Sequence, residues 1–261
     1  MESKVFTVLF TIFVWWFSTG LILYAIRRVD YSSKINHKSF TFYCLPLLII
    51  GIFGFIFTIN DLTTHTVYIS FVSSLFIWGW FEIAFLSGLI TGKVKFKCEE
   101  KITGWKRFVF AWKTINHSEL ALIAVTILMF IIVHKELNNF GFLTFSTLYV
   151  ARVCAKINFY LGVPYINFDF FPKPISYMKS LFKIRSPSFF WILSVALLFC
   201  LSLIWAQNSF SGDVSYPSTI GYVLISSLTF LALFEHLCMV IPFTETRLWL
   251  WMLPKKQKNE N

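Results

Sequence analysis

The sequence is poor in charged residues, and this shortage limits the kind of protein it can encode. Charged residues make up 14% of the 261 residues, hydrophobic residues make up 57%, and the mean hydropathy is +0.68. A soluble domain has about 25% charged and about 45–50% apolar residues. The composition therefore excludes an ordinary soluble protein and predicts an integral membrane protein.

Cysteine pairs and catalytic motifs are also missing. The five cysteines form no C-x-x-C pair and show no metal-type spacing, which argues against a disulfide framework or a zinc site. The sequence contains no G-x-S-x-G, no H-E-x-x-H and no phosphate-binding loop. These absences leave no signature of a serine hydrolase, a zinc protease or a nucleotide-binding enzyme.

Acidic residues are scarce beside basic ones, with 13 Asp and Glu against 23 Lys and Arg and a net charge of +10. Such an excess is compatible with nucleic-acid binding. Here, however, most basic residues lie in short loops between apolar segments, which is the positive-inside pattern of membrane proteins. We therefore expect the lipid bilayer, and no nucleic acid, as a partner.

Long apolar segments dominate the chain. Each is close to the ~20 residues that a helix needs to cross a bilayer. They cover residues 5–26, 39–59, 66–91, 108–133, 140–162, 188–206 and 216–242. The predicted fold class is an all-α integral membrane bundle of about seven transmembrane helices, forming one polytopic domain over residues 1–261.

The loops between these spans alternate in charge. The first, third and fifth loops and the C-terminal tail carry 4, 6, 4 and 4 Lys and Arg, whereas the other loops carry 0, 1 and 0. Because basic loops stay in the cytoplasm, we expect an outside N-terminus and a cytoplasmic C-terminus. Apolar and basic residues interleave in the loop at 163–187, so we expect part of it to lie in the membrane interface.

The fifth predicted span contains two basic residues, Arg152 and Lys156. They are four residues apart and so share a helix face, and each is costly in hydrocarbon unless another group meets it. Other spans contain Glu82, His117, Glu119, Glu235 and His236. At about 1.5 Å per residue, all seven fall in the cytoplasmic half, in a slab on the order of 10 Å thick. We predict one interior site between spans three, four, five and seven.

Several interpretations of this site stay open. The three glutamates can neutralise the two bases as a structural network, or the group can bind a ligand or substrate. A di-metal carboxylate site is disfavoured, because such sites use Glu-x-x-His pairs whereas His117 and Glu119 point about 200° apart. His117 or His236 alone could ligate the magnesium of a chlorophyll-type pigment, or could hydrogen-bond to a neighbouring helix.

Six blocks of sequence resemble one known family. They are VWWFSTG at 14–20, WGWFEIAFLSGLITG at 78–92, INHSELAL at 115–122, NNFGFLTF at 138–145, ARVCAKINFYLGVP at 151–164 and LFEHLCMVIP at 233–242. In order and in spacing, from about residue 10 to residue 252, they resemble the PuhE family of photosynthetic complex assembly proteins from purple phototrophic bacteria.

The resemblance also maps the polar positions of that family onto this chain. These positions fall on Glu82, His117, Ser118, Glu119, Arg152, Lys156, Asn158, Glu235 and His236. The chain departs from the family at Phe81 and Ser118, where the family often has histidine. The loss of two imidazoles weakens a metal-enzyme interpretation and leaves the Arg/Lys–Glu cluster as the core of the candidate site.

The resemblance implies a function in bacteriochlorophyll production or in assembling the reaction centre and its light-harvesting ring, in the inner membrane of a phototrophic bacterium. Bacteriochlorophyll or a precursor is then the candidate ligand, and photosynthetic subunits or pigment-synthesis enzymes are the candidate partners. No reaction is implied. Two alternatives stay open: an enzyme that acts on a tetrapyrrole or its isoprenoid tail through the Glu/His cluster, and a porphyrin or ion transporter. The absence of an inverted repeat disfavours the transporter.

Overall fold

The computed structural model describes residues 3–32, 35–168 and 171–242. Within these ranges there are eight α-helices and one long 3₁₀ helix, which we call the cap helix (Lys173–Leu181). The α-helices are α1 (Lys4–Asp30), α2 (His37–Tyr43), α3 (Leu45–Thr58), α4 (Thr64–Leu86), α5 (Gly104–Val133), α6 (Phe140–Leu161), α7 (Phe189–Phe210) and α8 (Tyr216–Cys238).

Seven helical stretches are long and apolar enough to cross a membrane, with α2 and α3 together forming one of them. The described residues contain no β-strand, and one isolated bridge joins Val163 to Ile184. The predicted all-α bundle of about seven spanning helices is therefore confirmed. Which end of the bundle faces the cytoplasm stays a prediction.

Two helix boundaries differ from the predicted spans for local chemical reasons. The second predicted span is divided at Cys44 into α2 and α3, because Pro46 in the first turn of α3 has no N–H to continue the helix. The third predicted span ends early, at Leu86. There the chain reverses through Gly88, whose φ of +73° is a left-handed value that glycine adopts without strain.

The helices α4 and α8 form the centre of the bundle. In their most apolar windows 50% and 61% of the residues are buried, against 17–33% in the other spans. A core cluster joins them to α6 and consists of Val67, Phe71, Phe140, Ile220, Leu224, Ile225 and Leu228. The helices approach closely, since a β-carbon at Gly221 would overlap the ring of Phe140. Small residues permit such contacts between membrane helices.

The outer faces of the bundle carry large apolar side chains. Phe53, Phe57, Trp105, Phe189 and Phe210 are each more than 70% exposed. Exposed apolar surface of this extent is unusual for a soluble monomer and is typical of a surface that contacts lipid. It agrees with the architecture of a multi-pass membrane protein.

The segment between α6 and α7 folds back over one end of the bundle. The cap helix buries Ile175, Met178 and Leu181, and it packs against Phe85 of α4 and Ile115 of α5. The sequence suggested that part of this segment lies in the membrane interface. In the structure its apolar side packs on α4 and α5, and its position relative to the membrane interface stays a prediction.

Polar contacts fix both ends of the cap helix. The backbone N–H of Lys173 donates to the carboxylate of Asp30 at the end of α1, at 3.2 Å. The guanidinium of Arg107 on α5 donates to the backbone carbonyl of Leu181 and also lies over the ring of Tyr160 on α6. The cap helix is thus tied to the ends of α1 and α5.

Candidate functional site

The two basic residues of α6 each contact a carboxylate. The guanidinium of Arg152 forms an ion pair with Glu82 of α4, and its Nε lies 3.7 Å from the Oε1 atom of Glu119 on α5. The ammonium of Lys156 donates to the same Glu119 Oε1 at 2.5 Å. These four residues, which we call the charged cluster, contain two cations and two carboxylates and therefore balance in charge.

Burial and aromatic contacts define the surroundings of the charged cluster. The side chains of Arg152 and Glu119 are only 8% and 6% exposed, whereas those of Lys156 and Glu82 are 21% and 22% exposed. Both cations lie over the ring of Phe85, with distances to its centroid of 4.6 Å for Arg152 and 4.1 Å for Lys156. Cation–π contacts of this kind stabilise a positive charge that has lost water.

A cavity of about 340 Å³ lies beside the charged cluster. Its polar wall includes Glu82, Arg152 and Lys156, and its other walls are almost entirely apolar. The apolar lining is Leu23 of α1, Phe85 and Leu86 of α4, Ala111 and Ile115 of α5, Ala155 and Phe159 of α6, and Phe171, Ile175, Met178, Leu181 and Phe182 of the cap segment. An apolar pocket with a few convergent polar groups is the usual form of a small-molecule site, at about 300–1,000 Å³.

The residues of α5 are divided between the inside and the outside of the bundle. Glu119 and Ser118 are buried, and the Ser118 hydroxyl lies 3.4 Å from the Arg152 guanidinium. His117 is exposed, because its side chain points about 200° away from that of Glu119 on the helix. The structure therefore does not bring His117 into the charged cluster.

The polar residues of α8 and Asn158 lie outside the cavity lining. Glu235 is half-buried near the end of α8, and His236 is 1% exposed. Asn158 is fully buried and donates through Nδ2 to the Ser194 hydroxyl of α7 at 2.8 Å. Asn158 thus connects α6 to α7. Apart from His117, the predicted site residues divide into the charged cluster with Ser118 and a second group on α8 and at the contact of α6 with α7.

The imidazole of His236 has a defined tautomer when it is neutral. Its Nδ1 lies 2.8 Å from the backbone carbonyl of Ala232, and a carbonyl can only accept, so Nδ1 carries the proton. The Nε2 atom then carries a lone pair but is sealed by packing, with no hydrogen-bond partner in the described part of the chain. A pigment macrocycle would need open space at Nε2, so His236 does not fit a magnesium ligand in this arrangement.

Sequence reasoning missed the apolar half of the site. In the sequence, Phe85 of α4 is one of many aromatic residues in an apolar span. Its contact with the two cations becomes visible only in the structure, where Arg152 and Lys156 lie over its ring. The buried residues Ile175, Met178 and Leu181 recur every third position, which is the period of a 3₁₀ helix with one apolar side. That spacing was a usable signal for the cap helix.

Metal-binding geometry is not evident in the structure. Over residues 3–32, 35–168 and 171–242, no group of three or more His, Cys, Asp or Glu side chains lies close enough together to hold a metal ion. In the charged cluster the carboxylates of Glu82 and Glu119 instead contact Arg152 and Lys156.

Comparison with known proteins places the chain in a family. A family model described as "Protein of unknown function (DUF3623)" matches residues 1–260. The chain belongs to this family. Among relatives of this DUF3623 chain is the "Uncharacterized 30.4 kDa protein in puhA 5'region" of Rhodobacter capsulatus, which is 39% identical over 254 residues, covering 97% of this chain and 92% of the relative. No solved structure matches this chain.

Proposed function

We propose that this protein works in the inner membrane of a phototrophic bacterium and supports pigment supply or photosynthetic complex assembly. It does so by binding a small molecule or a nascent subunit at the charged cluster. The resemblance to the PuhE family supports this function, as does the relative named for its place in the puhA region of Rhodobacter capsulatus. Pigment-synthesis enzymes and photosynthetic subunits are the partners that such a function requires.

The cavity beside the charged cluster is the observation that carries the proposal. Small-molecule sites are concave pockets in which a few polar groups converge within an apolar lining. A charged network that only fixed the register of α4, α5 and α6 would need no space beside it, yet Glu82, Arg152 and Lys156 line a cavity of about 340 Å³. This favours binding over a purely structural network.

The position of the site suggests how it is reached. The cavity lies beneath the cap helix, at the end of the bundle where the chain leaves α4 and α6 and enters α5. Loop charges predict that this end faces the cytoplasm. A ligand or partner from the cytoplasmic leaflet would therefore meet the site directly.

Complementation tests this function. The gene of the Rhodobacter capsulatus relative is deleted, and this chain is supplied in its place as wild type, Lys156→Met or Lys113→Met. Lys113 is exposed on α5, so its variant is the matched control for loss of one lysine. We expect the deletion to lower bacteriochlorophyll absorbance without slowing respiratory growth, and we expect wild type and Lys113→Met to restore the pigment.

Lys156→Met should fail to restore the pigment at a matched amount of protein in the membrane, because the cavity has lost a donor. Full restoration by Lys156→Met would mean that the charged cluster is structural. Normal pigment in the deletion strain would remove the photosynthetic function itself.

A further inference from the structure

We propose that the cavity beside Arg152 and Lys156 binds an uncharged amphiphile whose carbonyl or hydroxyl head joins an apolar chain or ring. This inference deepens the proposed function, because it names the ligand class for the same site. The inference that such a ligand is used in the cell rests on the proposed function, whereas the binding itself can be tested on the purified protein. Charge balance, hydrogen-bonding groups and cavity size each support it.

The charge balance of the cluster favours an uncharged head. Arg152 pairs with Glu82 and Lys156 pairs with Glu119, so the four groups sum to zero before any ligand enters. An added anion or cation would leave one uncompensated charge among apolar walls, and such a charge is costly in a medium of low dielectric constant. An uncharged ligand adds no such cost.

The polar groups at the cavity wall fit an oxygen atom. Lys156 has three N–H donors, of which Glu119 accepts one, and the Lys156 side chain remains 21% exposed. The Glu82 side chain is 22% exposed on the same wall, and its carboxylate can accept a further hydrogen bond. A carbonyl would accept from Lys156, and a hydroxyl would both accept from Lys156 and donate to Glu82.

The size of the cavity limits the apolar part of the ligand. A volume of about 340 Å³ lies at the small end of the range of about 300–1,000 Å³ that is usual for small-molecule sites. A prenyl or alkyl chain, or a single substituted ring, fits this volume. The aromatic rings of Phe85, Phe159, Phe171 and Phe182 give it an apolar enclosure. In the observed arrangement the site thus takes a lipid-like molecule or the tail of a larger one.

Size-matched probes test the head-group preference. The purified full-length protein in detergent is heated with n-decanol, methyl nonyl ketone, decanoate or decylammonium at about pH 8, where the two ionic probes are charged. At about 100-fold excess over the dissociation constant, a ligand of the folded state should raise the unfolding midpoint by about 5 °C or more. We expect this rise with the alcohol and the ketone, and a much smaller one with both ions.

Two phenylalanine substitutions on α5 locate the binding. Ala111 lines the cavity, whereas Ala124 is exposed on the outer face of the same helix. Ala111→Phe should abolish the rise in the midpoint because it fills the cavity, and Ala124→Phe should leave it intact. An equal rise in Ala111→Phe would overturn the proposal, since the probes would then act at the general apolar surface or through the micelle.

A charge substitution tests the reason for the preference. Glu82→Gln keeps the shape of the side chain and leaves the cluster with one excess positive charge, so this variant should prefer decanoate over n-decanol. Stabilisation of the wild type by decanoate as strong as that by n-decanol would refute the uncharged head. If the deletion strain and its Lys156→Met complement both lack pigment but no probe binds the purified protein, this inference is wrong and the proposed function is retained. If the probes bind but the deletion strain has normal pigment, the proposed function is wrong and the ligand class is retained.

Discussion

Replacing Glu119 by glutamine should destabilise the bundle strongly. The Oε1 atom of Glu119 lies 2.5 Å from the Lys156 ammonium and 3.7 Å from the Nε atom of Arg152, and its side chain is 6% exposed. Glutamine keeps the size of the side chain and removes its charge, so two buried cations would face the single carboxylate of Glu82. Breaking a buried ion pair costs about 3–5 kcal/mol, which is a large part of the ~5–15 kcal/mol that stabilises a folded protein.

Thermal unfolding of the purified protein in detergent measures this effect. At about 2–4 °C per kcal/mol for a protein of this size class, Glu119→Gln should lower the unfolding midpoint by about 6–20 °C. Glu100→Gln is the matched control, because Glu100 lies exposed in the loop before α5. We expect its midpoint to stay at the wild-type value.

The double variant Glu119→Gln with Lys156→Met isolates the pairwise interaction. It removes one charge of each sign and leaves Arg152 with Glu82, so its midpoint should exceed that of Glu119→Gln alone. Contacting residues show coupling energies of about 0.5–3 kcal/mol. A double variant whose loss equals the sum of the two single losses, or a Glu119→Gln protein as stable as wild type, would refute the ion-pair network.

Two further predictions concern topology and the cap helix. A cysteine introduced at Asp61, in the loop between α3 and α4, should react with a membrane-impermeant thiol reagent from outside the cell, and labelling only from the cytoplasmic side would overturn the predicted orientation. Arg107→Met removes the hydrogen bond to the Leu181 carbonyl, so trypsin should cut at Lys183 faster than in wild type in inverted membrane vesicles. An unchanged rate of cleavage would mean that apolar packing alone holds the cap helix in place.

The charged cluster could be predicted from the sequence because ionisable residues are rare inside apolar spans. Once the loop charges predict the direction of each span, counting residues gives the depth of each ionisable group. Arg152, Lys156, Glu82 and Glu119 come to one level in this way, but so do His117, Glu235 and His236, which the structure keeps out of the charged cluster. Their pairing follows from the cost of leaving any of them alone in an apolar interior. The spacing also showed that His117 and Glu119 diverge.

The rotation of each helix about its axis could not be read from the sequence. Apolar residues occur on nearly every side of α5, so its hydrophobic pattern does not show whether His117 or Glu119 faces the interior of the bundle. The cap helix was hidden for a related reason, since Ile175 and Met178 suit a membrane interface as well as a protein interior. Only the packed structure decides between these environments, because the apolar partners come from α4 and α5, far away in the chain.

The central position of α8 has a consequence for biosynthesis. It is the last of the described helices to leave the ribosome, yet it contacts α1, α4, α6 and α7. All residues that line the cavity precede α7, from Leu23 to Phe182. The walls of the cavity are therefore synthesised before α7 and α8, and their packing is completed only when α8 inserts between α1, α4 and α6.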